Sequence, residues 1–310
     1  MRIIKANVVN VKKVTAVVIA FLMMVLSVVY ANSKSEAANT SVKYRIFNAK
    51  TGVQIGDDYT LNALKSEDNS RAVIGEDERV IDWTKSGVAK IITSTSLSTG
   101  FVIDDHTITT AAHCVHGYNK GNPKPKKISK ILLFDINGNV TLEATPVEYH
   151  VPIEFINNVT KNGYQALSDY ALITVKEDLS AYACFNLGVP LDSFVNSNSV
   201  VTVTGFPGTW GKPGEEMTVN TVTKHMMYSG NGKMYDGTDS IIRYEADMTP
   251  GDSGGPVYIT ESAYGETYYT VVAINIAEPD VDNPEYNIGT RITTDLIHFY
   301  SANNTNIKWE

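Results

Sequence analysis

From Gly87 onward the apolar residues of this chain come in short bursts rich in Val, Ile and Thr, each closed off by Gly, Asn, Asp or Pro. "GVAKIITS", "TGFVID", "HTITTA", "KISKILLF", "VTLEATPVEYHV" and "DYALITV" form a first series. After the polar stretch "LDSFVNSNS" (191–199) a second series follows: "VVTVTGF", "MTVNTVTKHM", "SIIRYEA", "GPVYIT" and "TYYTVVAINI". β-Branched side chains suit an extended backbone, and the bounding residues supply turns, so each burst predicts a strand. Two series of roughly six strands predict an all-β chain, built as two small antiparallel barrels or as one large sandwich. Helix signals stay weak until "TTDLIHFYSANN" (293–304), where Thr293 or Thr294 caps and Leu296, Ile297 and Tyr300 share one face. Residues 32–70 are polar, with two short apolar patches, "YRIF" and "YTLNAL"; core-like patterning begins near "VIGEDERVIDW" (73–83). The polar segment is either a flexible arm or a pro-segment removed after export.

The first thirty-one residues have a different pattern. Arg2, Lys5, Lys12 and Lys13 precede a stretch from Val14 to Tyr30 without charge, and Val29 and Ala31 are small residues at signal-peptidase spacing. This is the layout of a signal peptide cut after Ala31. An uncleaved membrane anchor is the competing reading; the small and polar residues that follow at once favour cleavage, and both readings export the rest of the chain. The formal charge of −8 sets the chain against phosphate backbones and excludes nucleic acid as a natural partner. Two cysteines, Cys114 and Cys184, fit no zinc spacing, and spacing alone does not decide whether they pair. No carboxylate or cysteine cluster calls for a metal or other cofactor.

Three sites carry candidate chemistry. "DMTPGDSGGPVY" (247–258) crowds glycines and prolines around Ser253, which holds the backbone in special conformations. A serine becomes a useful nucleophile only beside a general base that is oriented by a buried acid. Of six histidines, His113 stands out: in "TITTAAHCV" a β-branched strand runs into two alanines, which present the ring at the strand's end. Asp169 opens "DYALITV", at the edge of the core, where a carboxylate must be hydrogen-bonded. Taken singly, a histidine after a strand and an aspartate before one are usually structural; in the order His, Asp, Ser, each in this context, they point to nucleophilic catalysis. His116 is expected on the surface of the turn after His113 and not in a metal pair.

"TAAHC", "DYALI" and "GDSGGP" resemble the histidine, aspartate and serine boxes of the chymotrypsin/trypsin clan of serine proteases. "VIGEDERV", "STGFVIDDHTITTAAHCV" and "YNIGTRIT" (286–293) are similar to its secreted bacterial branch, which includes the V8-like glutamyl endopeptidases. The resemblance runs from Val73 to the C-terminal helix. It implies an all-β fold of two six-stranded antiparallel β-barrels with the active site in the cleft between them. The expected division is a signal peptide (1–31), a pro-segment (32–72), a first barrel (73–190) and a second barrel with the helix (191–310). It implies Ser253 as nucleophile, His113 as general base, Asp169 as its orienting acid, and an oxyanion hole from the amides of Gly251 and Ser253. It places Asp247 at the floor of the primary specificity pocket, with Met248 and Asn275 as substrate-binding neighbours. Asp247 would select Arg or Lys unless it pairs with Arg243 or Lys224, whereas the glutamyl branch selects Glu; both preferences stand, and Glu278 adds negative charge near the pocket wall. Cys114 lacks the partner that animal relatives place near Ser98, so both cysteines are expected free. Cleavage near Arg71 by an activating protease would let the ammonium of Val73 or Ala72 reach Asp252. The implied product is a monomeric, extracellular bacterial enzyme acting on polypeptides without a cofactor and free of the membrane once the signal is cut. A catalytically silent binding protein, or a narrow-specificity toxin, is the alternative.

Overall fold

The computed structural model describes residues 41–62, 77–119, 121–162, 166, 168–182, 185–210, 218–263, 266–277 and 285–303. The signal segment, Arg71 to Val73, Cys184 and Glu278 lie outside the described residues. In chain order the first half contains β1 (Ser41–Asn48), β2 (Gln54–Asn62), β3 (Val80–Ile81), β4 (Val88–Thr93), β5 (Leu97–Asp104), β6 (Thr107–Thr110), α1 (Ala112–Val115), β7 (Ile128–Phe134), β8 (Val140–Ala144), β9 (Pro146–Pro152), α2 (Ile153–Asn162) and β10 (Ala171–Val175). The second half contains β11 (Asn186–Leu187), α3 (Asp192–Val195), β12 (Val200–Gly205), β13 (Thr209–Trp210), β14 (Thr218–Val219), β15 (Tyr228–Gly237), β16 (Ile241–Tyr244), β17 (Pro256–Ala263), β18 (Glu266–Ala277), β19 (Asn287–Arg291) and α4 (Thr294–Asn303).

The two series of strands form two sheets, antiparallel apart from short β11, which pairs parallel to β18, and the second sheet closes on itself. In the second, the order β18-β17-β12-β15-β16-β19 closes because β19 pairs back to β18, giving a six-stranded barrel. In the first, the order is β2-β1-β9-β10-β6-β5-β4-β7-β8. Here β8 and β9 are two halves of one segment, bent at Thr145: β8 pairs with β7 and β9 with β10, so the bend carries the chain from one side of the sheet to the other. The bend is pinned from both sides: Glu177 Oε2 accepts the Thr145 amide at 2.6 Å, and the Thr145 carbonyl accepts the Lys176 amide at 3.1 Å. Closure removes the unpaired edges that an open sheet would expose. Short β3 lies early in the chain yet pairs with β15 of the second barrel.

Several elements differ from the sequence expectation. "MTVNTVTKHM" contributes only β14 and then a turn, because the Thr221 side chain caps it through the amides of Thr223 and Lys224. Three glycines in "YSGNGKMYDG" hid β15, although close backbone approach is why they are there: a Cβ on Gly232 would lie 2.0 Å from the Ala246 nitrogen. Helix α2 was not expected; its Ile153, Ile156 and Val159 recur at helical spacing but form a single narrow stripe in a polar segment. Core patterning also starts earlier than Val73. The "YRIF" patch lies in β1, which pairs with β9, and Phe47 is buried with its ring stacked on Tyr149 at 5.2 Å. The C-terminal helix forms as expected, with Thr293 Oγ1 accepting the Leu296 amide at 3.1 Å, and Leu296 and Tyr300 buried. Among the described residues, no helix is long and apolar enough to cross a membrane.

A buried lysine ties the two barrels. Lys90 on β4 is fully buried, and its Nζ donates to the carbonyls of Thr221 (2.9 Å) and Lys224 (3.0 Å) and to Asn220 Oδ1 (3.2 Å) in the second half. Burial pulls its pKa down to about 8. Lys90→Met keeps the apolar stem and strands these acceptors, so it is expected to lower stability by about 1–3 kcal/mol, read as a drop in melting temperature.

Candidate active site

The Thr-Ile-Thr-Thr strand β6 ends at Ala111 and Ala112, both fully buried, and the chain turns at once into the single-turn α1 that carries His113. The two alanines are small because the helix start is packed flat against the core. Asp169 precedes β10, as its "DYALITV" context predicts, and is fully buried. Ser168 before it takes a left-handed backbone, φ 55°, which a non-glycine residue adopts at a cost. The conformation is held by Ser168 Oγ donating to Glu154 Oε2 at 3.0 Å.

The structure brings the carboxylate and the imidazole together twice over. His113 Nδ1 lies 2.7 Å from Asp169 Oδ2, and the His113 backbone amide donates to Oδ1 at 2.9 Å. Both carboxylate oxygens are thus spent on one residue, which fixes the ring's orientation and puts the proton on Nδ1. Lys126 Nζ donates to the His113 carbonyl at 2.8 Å. Burial opposes a charge on His113, but Asp169 and Cys114 outweigh it and hold the pKa up to about 9.

Ser253 is nearly buried. Cys114 links it to the histidine: its Sγ lies 3.8 Å from His113 Nε2, and its S–H points to the Ser253 carbonyl at 3.5 Å. Cys114 is a free cysteine, as expected. The loop around Ser253 is stitched to both barrels. The Ser253 carbonyl accepts the Thr99 amide at 2.8 Å, the Gly251 carbonyl accepts Thr99 Oγ1 at 2.8 Å, and Gly254 donates to the Asn275 carbonyl at 2.7 Å. Gly251 has φ +111°, and a Cβ there would lie 2.5 Å from the Phe206 carbonyl oxygen. Gly254 has φ +83°, and a Cβ would lie 2.0 Å from Thr110 Oγ1. Only glycine satisfies both conditions.

Asp247, Met248 and Asn275 are all buried. Met248 and Asn275 meet at Tyr244, whose hydroxyl lies 2.8 Å from Asn275 Oδ1 and 3.6 Å from Met248 Sδ. Asn275 also donates through Nδ2 to the Asp252 carbonyl at 2.8 Å. Asp247 Oδ2 accepts the Glu78 amide at 2.8 Å, while Arg243 pairs with Asp236 at 2.8 Å. Tyr244, Thr99 and Arg79 had no signal in the sequence: each reaches the site by packing from another strand or segment. Arg79 Nη1 lies 2.9 Å from Thr249 Oγ1 and 3.4 Å from Asp252 Oδ2.

His116 corrects the expectation of a surface residue. It is buried, with its ring 5.5 Å from Phe47 and 6.4 Å from Phe155, and its Nδ1 donates to the Gly117 carbonyl at 2.9 Å. Burial pushes its pKa down to about 4, so it remains neutral.

Among solved structures, a Glu endopeptidase in complex with MPD is similar at 19% identity and a TM-score of 0.57, covering 76% of this chain and 100% of that one. An inactivated protease paralogue of the scabies mite is similar at 12% identity and a TM-score of 0.51, covering 77% of this chain and 100% of that one. At these identities the likeness is one of fold. No curated protein matches the chain in sequence. The Trypsin family model matches residues 73–297, which spans both barrels and all three candidate boxes. The chain therefore belongs to the trypsin family and has its fold.

Proposed function

We propose that this protein is a secreted serine endopeptidase that hydrolyses peptide bonds through Ser253, His113 and Asp169. The observation that supports it most is the doubly bonded His113–Asp169 pair, with Cys114 in contact with both His113 and Ser253. Ser253 Oγ attacks the carbonyl carbon of the scissile bond, and His113 Nε2 takes its proton. The amides of Gly251 and Ser253 stabilise the oxyanion. The C–N bond then breaks as the imidazolium returns the proton to the leaving amine, leaving an acyl-enzyme that water hydrolyses by the same steps. Asp169 holds the ring in place and stabilises the imidazolium. The chain is made as a precursor, loses residues 1–31 on export, and is cut near Arg71 by another protease; it acts as an extracellular monomer.

For the residue before the scissile bond we propose Arg or Lys over Glu. Met248 and Asn275 present neither a hydroxyl nor an imidazole to a glutamate, and Asp247 repels one. Purified protein is to be treated with a fluorophosphonate and then assayed on matched peptides carrying Arg, Lys, Glu or Leu at that position. Labelling confined to Ser253, with fastest cleavage after Arg or Lys, is the expected result. An unlabelled, folded protein would instead support the catalytically silent reading, and a preference for Glu would make Asp247 structural.

A further inference from the structure

The loop from Asp247 to Ser253 presents two amides that must point at one spot, so something has to hold it. A buried aspartate immediately before the nucleophile is well placed to do this, provided that a cation neutralises it, since a buried carboxylate without a counter-charge is costly. We propose that the cation is the side chain of Arg79, and that the loop is therefore ordered by the uncut chain and does not wait for a new amino terminus. This rests on the serine peptidase reading above and deepens it by naming a positioning residue.

The geometry is that of a built clamp. The Arg79 side chain is 4% exposed and that of Asp252 is 5% exposed, so solvent does not screen the pair. Nε and Nη2 of Arg79 fork onto Asp77, at 2.9 Å and 2.7 Å, which fixes the plane of the guanidinium. That leaves Nη1 aimed at the loop, where it meets Thr249 Oγ1 at 2.9 Å and Asp252 Oδ2 at 3.4 Å. Asp252 Oδ2 also accepts the Thr249 amide at 2.8 Å, so one carboxylate oxygen closes the turn and receives the cation. One residue away, the Glu78 amide donates to Asp247 Oδ2 at 2.8 Å, tying down the far end of the same loop. The segment bearing Arg79 is itself fixed: Val80 and Ile81 pair with Ser229 and Tyr228. Each of these contacts is made by side chains and backbone groups of residues 77–252, and none of them by a chain terminus.

The test uses the full exported chain in four forms: parent, Arg71→Gln, Arg79→Gln and Arg79→Lys, each titrated with a fluorophosphonate so that kcat is expressed per competent site. Arg71→Gln, which blocks the cut, is expected to keep kcat within about twofold of the parent. Arg79→Gln is expected to lower kcat per site and the labelling rate by on the order of 10²-fold, the scale of losing one oxyanion donor, with a much smaller change in KM. Arg79→Lys retains a charge and should recover part of this. Because Arg79→Gln removes the Arg79 guanidinium from beside buried Asp252, a double variant with Asp252→Asn guards against simple unfolding: it is expected to melt close to the parent yet stay slow. An Arg71→Gln protein that labels only after its amino terminus is supplied by another cut would overturn the proposal, as would an Arg79→Gln protein with parental kcat. Failure of the parent itself to label would overturn the peptidase reading, and is distinguished by that control.

Discussion

Replacing Ser253 by Ala is expected to lower peptide hydrolysis by roughly 10⁶-fold in kcat, about as much as removing all three members of the triad together. On the proposed mechanism the three residues act as one unit: with no nucleophile, the orientation of His113 by Asp169 has nothing to act on. The residual rate, roughly 10³–10⁴ above water, belongs to substrate binding and to the amides of Gly251 and the residue at 253. The alanine adds no bulk and keeps the backbone contacts of this residue, in which its carbonyl accepts from Thr99 and Cys114. The melting temperature should therefore hardly move. Fluorophosphonate labelling should vanish with the activity. A variant that loses structure along with activity would leave the assignment to the second test, since the folded fraction is measured by the same melt.

Asp169→Asn is expected to lower kcat by roughly 10⁴-fold, because an amide presents an N–H to His113 Nδ1 and favours the wrong tautomer. Its pH dependence separates this effect from a loss of fold. His113 accepts a proton only when neutral, so kcat/KM of the parent should rise with pH along a limb displaced to the alkaline side of an ordinary imidazole, toward about 9. In Asp169→Asn the carboxylate that raises this pKa is gone while burial remains, so the limb should move toward acid. Stability follows the same sign. A histidine whose pKa is raised by folding holds more protons in the native state. The pair therefore contributes fully below about 6.5, and that contribution is lost as pH rises through about 9. Melts of parent and variant across this window should converge at the alkaline end. A variant whose limb stays where the parent's lies would show that Asp169 does not set the state of His113.

Much of the molecule was written locally. The bursts of Val, Ile and Thr marked most strands of both barrels, because β-branched side chains suit an extended backbone and pack well in a sheet. Thr293 marked the start of the last helix, because a cap is a contact between residues three apart. The three boxes were legible for a related reason. Ser253 needs glycines beside it for backbone geometry, His113 needs alanines before it for close packing, and Asp169 needs an apolar strand after it for burial. Each of these demands falls on immediate neighbours. What the neighbours do not reveal is distance. Nothing near Arg79 says that it faces Asp252, 173 positions away. His116 read as a surface residue until Phe47 and Phe155, from β1 and α2, closed over it. The polar segment containing β1 gave no sign that it pairs with β9, since strand pairing is made through backbone groups that every residue but proline carries in full. The amino-acid sequence alone thus pointed to the candidate residues for the chemistry and to most of the stretches that become strands. Only the tertiary structure decided which charges meet in the interior, because a buried ion pair is chosen by the packing of remote segments and leaves no local pattern.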